Sequence, residues 1–564
     1  MTTQLRHIAQ PRLTPIPRLS RIYGFGSVYA KTLRDSRLAI IILSGLLGAV
    51  MLAGGAAYSE YASVSARAGF ANLIASLPPI LSGLYGNPRP AGLDTLGGLI
   101  SFKNMASIAM IASFWSILAL SGTLASESRR GSLDFVAVSP RGMRGIALEK
   151  LGAHLTGMTI VMAVIAVTSW LACDLFAVLP GDAISAGAAI AFALWAGLVA
   201  LAFGSLAFAL APVVGRASAA GIAGAVLVAG YLLNGYQASI AAFAGPANVT
   251  PFGWTVGHQP LGGAYDWPSI ALVALVAGVL FAAGVELFAR RDLGSTSAIP
   301  WPGFPAALLG LGGPAARSLG ERLPLALAWG VGIGLEGFFM GAAAGSLASQ
   351  LATLSPETLT MVRTLFPKID LLSPGGFLQL AFVAIGFILV GFAAATLVSG
   401  WSSDETSGRL ELLLAAPLQR ARWALASGAG LYGAIAVMTA LFAAGIGIGI
   451  ATGGGDPTTP MLGTIVMGLY ALALAGVGIA IGGLVRAGIA AETVAGIVIA
   501  MFLLDLVAPA LRLPDWVNQL ALTAHLGQPM VGLWDWSGIA ACVVIAAVGL
   551  ALSALGLSRR DVSV

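Results

Sequence analysis

Four lysines, four histidines and two cysteines are all that this 564-residue chain offers for phosphate, metal or thiol chemistry, and their spacing suits none of these. A phosphate-cradling loop needs Gly-x-x-x-x-Gly-Lys-[Ser/Thr], with the lysine reaching the phosphates. Lys31, Lys103, Lys150 and Lys368 each follow a residue other than glycine. His7, His154, His258 and His525 are scattered, with no metal-ligand spacing. Cys173 and Cys542 sit in long apolar runs, where buried free thiols are expected. The remaining candidates are acids that stand in apolar surroundings, where a charge costs about 2.5–3.5 kcal/mol on insertion scales. Glu336 lies deepest, between Gly334 and Gly337, and Asp505 occupies a place where an earlier segment has Asn234. Each is a candidate for a solute pathway, with a hydrogen bond between helices as the structural alternative. Phe338, Phe339 and Trp115 are candidates to line the same pathway, with simple packing as their alternative. Glu286 and Glu492 stand nearer segment ends and are expected to pair with Arg290 and Arg486.

The elements that must position these residues follow from composition. Hydrophobic residues make up 58% of the chain, charged residues 9%, and there are 74 glycines; mean hydropathy is +0.90. A soluble domain carries roughly 25% charged residues, so the chain cannot coat soluble domains of this total length. Disordered, collagenous and disulfide-rich classes fail as well. A hydrocarbon core about 30 Å thick takes about 20 apolar residues per helix, and twelve such runs are present. They are Leu38–Tyr58, Gly98–Ser121, Thr156–Leu179, Gly187–Ala211, Ala219–Phe243, Ser269–Ala289, Leu323–Ala344, Gly376–Val398, Ser427–Ile450, Leu462–Leu484, Gly488–Ala508 and Ile539–Leu557. The predicted fold class is therefore an all-α polytopic membrane protein with twelve spans.

With the N-terminus placed inside, the inner segments collect 23 of the 29 Lys and Arg. Arg67, Arg89, Lys103, Arg363, Lys368 and Arg512 fall outside. This bias predicts a cytoplasmic membrane protein with both termini inside. The net charge of +5 then reflects topology, and no nucleic-acid partner is implied. A polar leader of 37 residues precedes the first run, so no cleavable signal is expected.

Two inner loops match each other. One reads Glu127-Ser-Arg-Arg130-Gly131-Ser-Leu133-Asp134-Phe-Val-Ala-Val-Ser-Pro140. The other reads Asp404-Glu405-Thr-Ser-Gly408-Arg-Leu410-Glu411-Leu-Leu413-Leu-Ala-Ala-Pro417. Arg290-Arg291-Asp292 and Arg559-Arg560-Asp561 echo each other after the sixth and twelfth runs. The chain thus reads as two parallel six-span repeats related by an axis along the membrane normal. Residues 1–37 form a leader, 38–289 the first unit, 290–322 a Gly- and Pro-rich linker, 323–557 the second unit and 558–564 a tail. Each matched loop is expected to form a short amphipathic helix. In the second copy Ser402 and Glu405 have capping-box spacing, Leu410, Leu413 and Leu414 share a face, and Pro417 stops the helix.

The pattern Glu-x-x-x-Gly-x-Leu-[Asp/Glu]-x-x-x-x-x-Pro after the second of six spans resembles the coupling-helix region of ABC exporter permeases with the type-two transporter domain. Two fused units with Arg-Arg-Asp after each sixth span look like the polyketide-antibiotic exporter permeases of the tetronasin group. The resemblance implies a non-enzymatic transport subunit for hydrophobic or amphipathic compounds, antibiotic, drug-like or lipid. It also implies a separate ABC ATPase subunit, in two copies, that docks on the two loops and carries the ATP and Mg; no cofactor or metal is expected on this chain. Residues 20–37 resemble the family's elbow helix, which lies in the interface against membrane lipid, and a second elbow is expected in the linker. In the first loop Phe135-Val-Ala-Val replaces the usual Leu-rich stretch, which predicts a weaker docking contact. The alternative is a proton- or sodium-driven secondary multidrug transporter, with the intramembrane acids as carriers. Against it, the loop after the second run lacks Asp-Arg-x-Gly-Arg. A membrane-embedded transferase is a third reading, but the long outer loops offer it little beyond Glu60, Asp94, Glu357 and Asp370.

Overall fold

A computed structural model describes residues 27–59, 62–76, 86, 89–129, 142–238, 240–290, 312–351, 373–406, 408–415, 418–510 and 514–560. Among them, twelve helices are long and apolar enough to cross a membrane. Spans 1 to 6 are Val28–Tyr58, Leu96–Arg129, Gly142–Leu175, Ala186–Val214, Arg216–Tyr236 and Trp267–Ala289. Spans 7 to 12 are Pro314–Leu351, Val383–Thr406, Arg420–Thr452, Thr458–Leu484, Ala490–Ala510 and Trp536–Arg559. Each coincides with one of the apolar runs, because a chain in lipid must satisfy its backbone groups internally and a helix does so. The protein is an all-α polytopic membrane protein. Cys173 and Cys542 are free and buried in spans 3 and 12.

The helices depart from the apolar runs at their ends. Span 1 starts ten residues before its run, at Val28. Ser27 caps it, its Oγ accepting the Ala30 N–H at 3.0 Å. At 1.5 Å per residue its 31 residues reach about 46 Å, so the turns bearing Lys31, Arg34 and Arg37 extend beyond the apolar layer. The separate elbow expected over residues 20–37 is thereby corrected for residues 28–37, which continue the span. Residues 1–26 lie outside the described residues. Likewise residues 314–322 of the linker are the first turns of span 7, not a second elbow. Span 5 stops at Tyr236 instead of Phe243, and a short helix, Ala241–Ala247, follows the turn. Span 8 is preceded by a separate helical piece, Pro374–Ala381.

Lipid supplies no hydrophobic drive between helices, so close backbone packing must hold them together. Spans 7 and 9 show this best: a Cβ on Gly445 would lie 2.0 Å from the Gly334 carbonyl oxygen. One apolar core lies within spans 1–5 with the first turns of span 6. A second lies within spans 7–12 and also takes in Leu232 and Tyr236 of span 5. The two units touch where span 1 meets span 11 and where Tyr236 stacks on Phe339 of span 7, with ring centroids 4.6 Å apart.

The end opposite the basic residues carries two similar turns that comparison of the inner loops does not reveal. Gln259-Pro-Leu-Gly-Gly263-Ala-Tyr-Asp266-Trp and Gln528-Pro-Met-Val-Gly532-Leu-Trp-Asp535-Trp each form a short 3-10 turn, a left-handed glycine and an aspartate cap on the next span. Beside the first turn, helix Val64–Ser76 is fastened by Arg67. Its guanidinium forms a two-pronged pair with Asp182, one contact measuring 2.8 Å. The Asp182 carboxylate also accepts the N–H groups of Leu96, Val178 and Leu179 at 2.8–3.1 Å. Burial raises this carboxyl's pKa, but Arg67 and the three N–H groups outweigh it and hold the value well below the usual carboxylate range.

A depressed folded-state pKa gives stability that is present above the unfolded value of about 3.9 and is lost as pH falls toward the folded value. Unfolding of the purified chain at a series of pH values should therefore show stability falling below about pH 4. Asp182→Ala should flatten that slope and, by removing the carboxylate from a buried ion pair, cost about 3–5 kcal/mol at neutral pH. An unchanged slope contradicts the assignment. Gly445→Ala should destabilise by about 1–3 kcal/mol through overpacking. Gly221→Ala, whose new methyl meets nothing within 4 Å, serves as its control in the same thermal unfolding measurement.

Candidate functional site

At the basic end of the bundle, span 8 ends in a knot of charges. Asp404 is 5% exposed and lies 3.4 Å from Arg317 of span 7. Arg317 also bonds Glu321 at 2.8 Å. One turn further along span 7, Arg322 donates to the Ser318 carbonyl at 2.7 Å and reaches the Gly400 carbonyl of span 8 at 3.3 Å. Ser318 Oγ donates in turn to the Ser427 carbonyl of span 9 at 2.5 Å. From the far end of the chain, Arg560 pairs with Glu405 and donates to the Gly482 carbonyl of span 10 at 2.9 Å. Spans 7, 8, 9, 10 and 12 are thus tied together around the end of span 8.

This knot corrects the capping reading of Ser402 and Glu405. Span 8 continues through both to Thr406. Ser402 Oγ donates to the Ser399 carbonyl within that helix, at 3.1 Å. The short helix begins later, at Arg409, after Gly408 turns the chain at φ +73°, and it runs to Leu414. Asp404 and Glu405, expected on a docking surface, face the bundle instead. Leu410 is 1% exposed, and Leu414 packs on the second core. Leu413 is half-buried, so the predicted apolar face is turned inward. What remains outward is Arg409, Glu411 and Leu412, the last 78% exposed. Leu412 lies off the amphipathic stripe of Leu410, Leu413 and Leu414. Of the first copy, Glu127 falls in the last turn of span 2. Its side chain, residues Arg130, Gly131, Leu133, Asp134 and Pro140, and Pro417 of the second copy lie outside the described residues.

The proposed pathway residues divide into separate places. Glu336, Phe338 and Phe339 gather in span 7 against the end of span 5. Phe339 stacks on Tyr236, Phe338 lies edge-on to Phe339 at 5.3 Å, and Phe243 of the short helix approaches Phe339 at 6.0 Å. Span 5 had to stop at Tyr236 for Phe243 to reach this place. Tyr236 and Phe243 were not apparent as site residues, since an aromatic at a span end reads as part of an interfacial belt. Asn234 points elsewhere, donating to the Gly86 carbonyl at 2.9 Å and accepting from Gln237. It lines a small cavity with Gly86, Trp195 and Gln259. Asp505 accepts from Thr523 at 2.7 Å. Trp115 stands beside His154, ring centroids 4.8 Å apart, at the edge of the first core. Glu286 pairs with Arg144 at 2.8 Å and Arg290 at 3.7 Å. Arg486 and Glu492 form no ion pair with each other. Among the described residues no three His, Cys, Asp or Glu side chains gather as a metal site.

Residues 311–558, which hold the second six spans, the short helix and Glu336, match the model of a family described as the C-terminal domain of multidrug efflux system permease Rv1217c. Over 554 residues the chain is 28% identical to the multidrug efflux system permease protein Rv1217c of Mycobacterium tuberculosis, an alignment covering 93% of this chain and 92% of that protein. The chain is therefore similar along nearly its whole length to a multidrug efflux permease.

Proposed function

We propose that this protein is the membrane-spanning subunit of an ATP-driven exporter that moves hydrophobic or amphipathic compounds, drug-like or lipid, across a bacterial cytoplasmic membrane. Its basic end and both termini face the cytoplasm. A separate ABC ATPase subunit, in two copies, binds ATP and Mg and docks below, one copy on Arg409–Leu414 and the other on the matching loop 127–140. The observation that carries this reading is the short helix itself: an exposed Leu412 and Glu411 on an element whose other side is anchored in the bundle through Leu410. An apolar side chain held rigidly off the membrane end suits insertion into a protein cleft better than contact with water. The similarity to a permease named for multidrug efflux supports the transport role and the breadth of cargo.

Span 7 provides the mechanical link. Its first turns grip the end of span 8 through Arg317 and Arg322, and its far half carries Glu336, Phe338 and Phe339. A displacement of the short helix is delivered by the Asp404–Arg317 pair to span 7, which meets the other unit at Phe339, about 33 Å further along the helix.

The purified chain alone should hydrolyse no ATP and should be recovered from cells together with a soluble nucleotide-binding subunit. Replacing Glu411 and Leu412 together by Ala should lower substrate-stimulated ATPase of that complex about tenfold or more, without changing the yield of folded chain. Normal ATPase and transport in the double variant would contradict the docking site. Uphill transport driven by an ion gradient with nucleotide absent would contradict the energy source.

A further inference from the structure

Glu336 stands apart from the paired acids of the bundle. Asp404, Glu405 and Asp182 are each paired with an arginine, and Asp505 with Thr523. Glu336 has no hydrogen bond or ion pair among the described residues. It is half-buried, so part of the side chain is open to the surroundings of span 7. Three residues on, and so on a neighbouring part of the same helix face, Phe339 stacks on Tyr236 of the other unit. The Tyr236 ring is fully buried, its hydroxyl has no hydrogen-bond partner, and the Glu336 carboxyl is close enough to act on it electrostatically. Phe338 and Phe243 complete an aromatic cluster around Phe339. A buried hydroxyl without a partner and a half-buried, unpaired carboxyl thus lie near stacked aromatic rings.

We infer that Glu336, Tyr236 and Phe339 form a binding site for a lipophilic monovalent cation, at the contact between the two six-span units. A carboxylate in a low-dielectric site lacks a counter-charge, and ring faces attract a cation within about 6 Å, more strongly once it is desolvated. A guest that combines a delocalised positive charge with aromatic or alkyl bulk satisfies both, whereas a small hydrated cation would have to give up its water. The geometry also explains why the site straddles the units: the carboxylate comes from one and the tyrosine from the other, so relative movement of spans 5 and 7 alters the fit. This inference rests on the transport reading for its consequence, because occupancy would determine what is carried.

The probe is tetraphenylphosphonium, with triphenylphosphine oxide as its neutral counterpart, each titrated against the full-length chain in lipid nanodiscs. Glu336→Gln should weaken tetraphenylphosphonium binding at least about tenfold and leave the neutral compound within about twofold. Glu336→Asp should retain cation binding, which shows that the loss follows the charge and not a failure to fold. Phe339→Ala should weaken both ligands. Absence of cation binding by the wild-type chain, or equal cation affinity in wild type and Glu336→Gln, overturns the site. Either result leaves the exporter reading standing if the ATPase complex still moves neutral substrates. Conversely, charge-dependent binding without nucleotide-driven transport would keep the site and refute the exporter.

Discussion

In a lipid bilayer a buried leucine gains little over a leucine facing an acyl chain, so a helix bundle is held by close backbone contact and by the few polar groups that it can pair. That constraint accounts for most of what distinguishes this structure. Gly334 and Gly445 let spans 7 and 9 touch backbone to backbone. The Arg67–Asp182 pair fastens helix Val64–Ser76 to the start of span 2 and to the turn that follows span 3. The end of span 8 is held from both sides by arginines of spans 7 and 12. Glu336 and the Tyr236 hydroxyl depart from this, and both lie at the contact between the two units. An unpaired acid close to a buried hydroxyl without a partner leaves room for a guest that satisfies both.

The arrangement also relates two distant places. Charges at the base of span 7 fix it to the element that presents Leu412, while the far half of the same helix presents Glu336 and Phe339. A motor pressing on the short helix would be coupled to the contact between units through one continuous helix, with Pro324 as its one internal proline. Ion pairs suit this junction because they constrain direction as well as distance.

Much of this was legible in the sequence, and the rest was hidden for physical reasons. Twelve spans follow from run length, because about 20 apolar residues have few other destinations. Their ends do not, since helices such as Val28–Tyr58 continue beyond the apolar layer where composition no longer marks them. Glu336, Phe338 and Phe339 were visible as an acid and aromatics out of place. Tyr236 was not, because its significance lies in a stack with a residue of the other unit. The spacing of Ser402 and Glu405 suggested a cap, yet Glu405 answers to Arg560, 155 positions away; no local pattern carries such a pairing. The repeated turns at Gln259–Trp267 and Gln528–Trp536 were open to the same comparison of halves that found the inner loops.

The most direct test of the link along span 7 is the reactivity of a cysteine placed at Phe338, measured in the complete complex with its ATPase subunit. Cys173 and Cys542 are buried and leave the background low. The labelling rate should change about threefold or more when nucleotide is bound, and that response should vanish when Asp404 and Arg317 are both replaced by Ala. A rate indifferent to nucleotide, or a response that survives loss of both charges, would contradict the account.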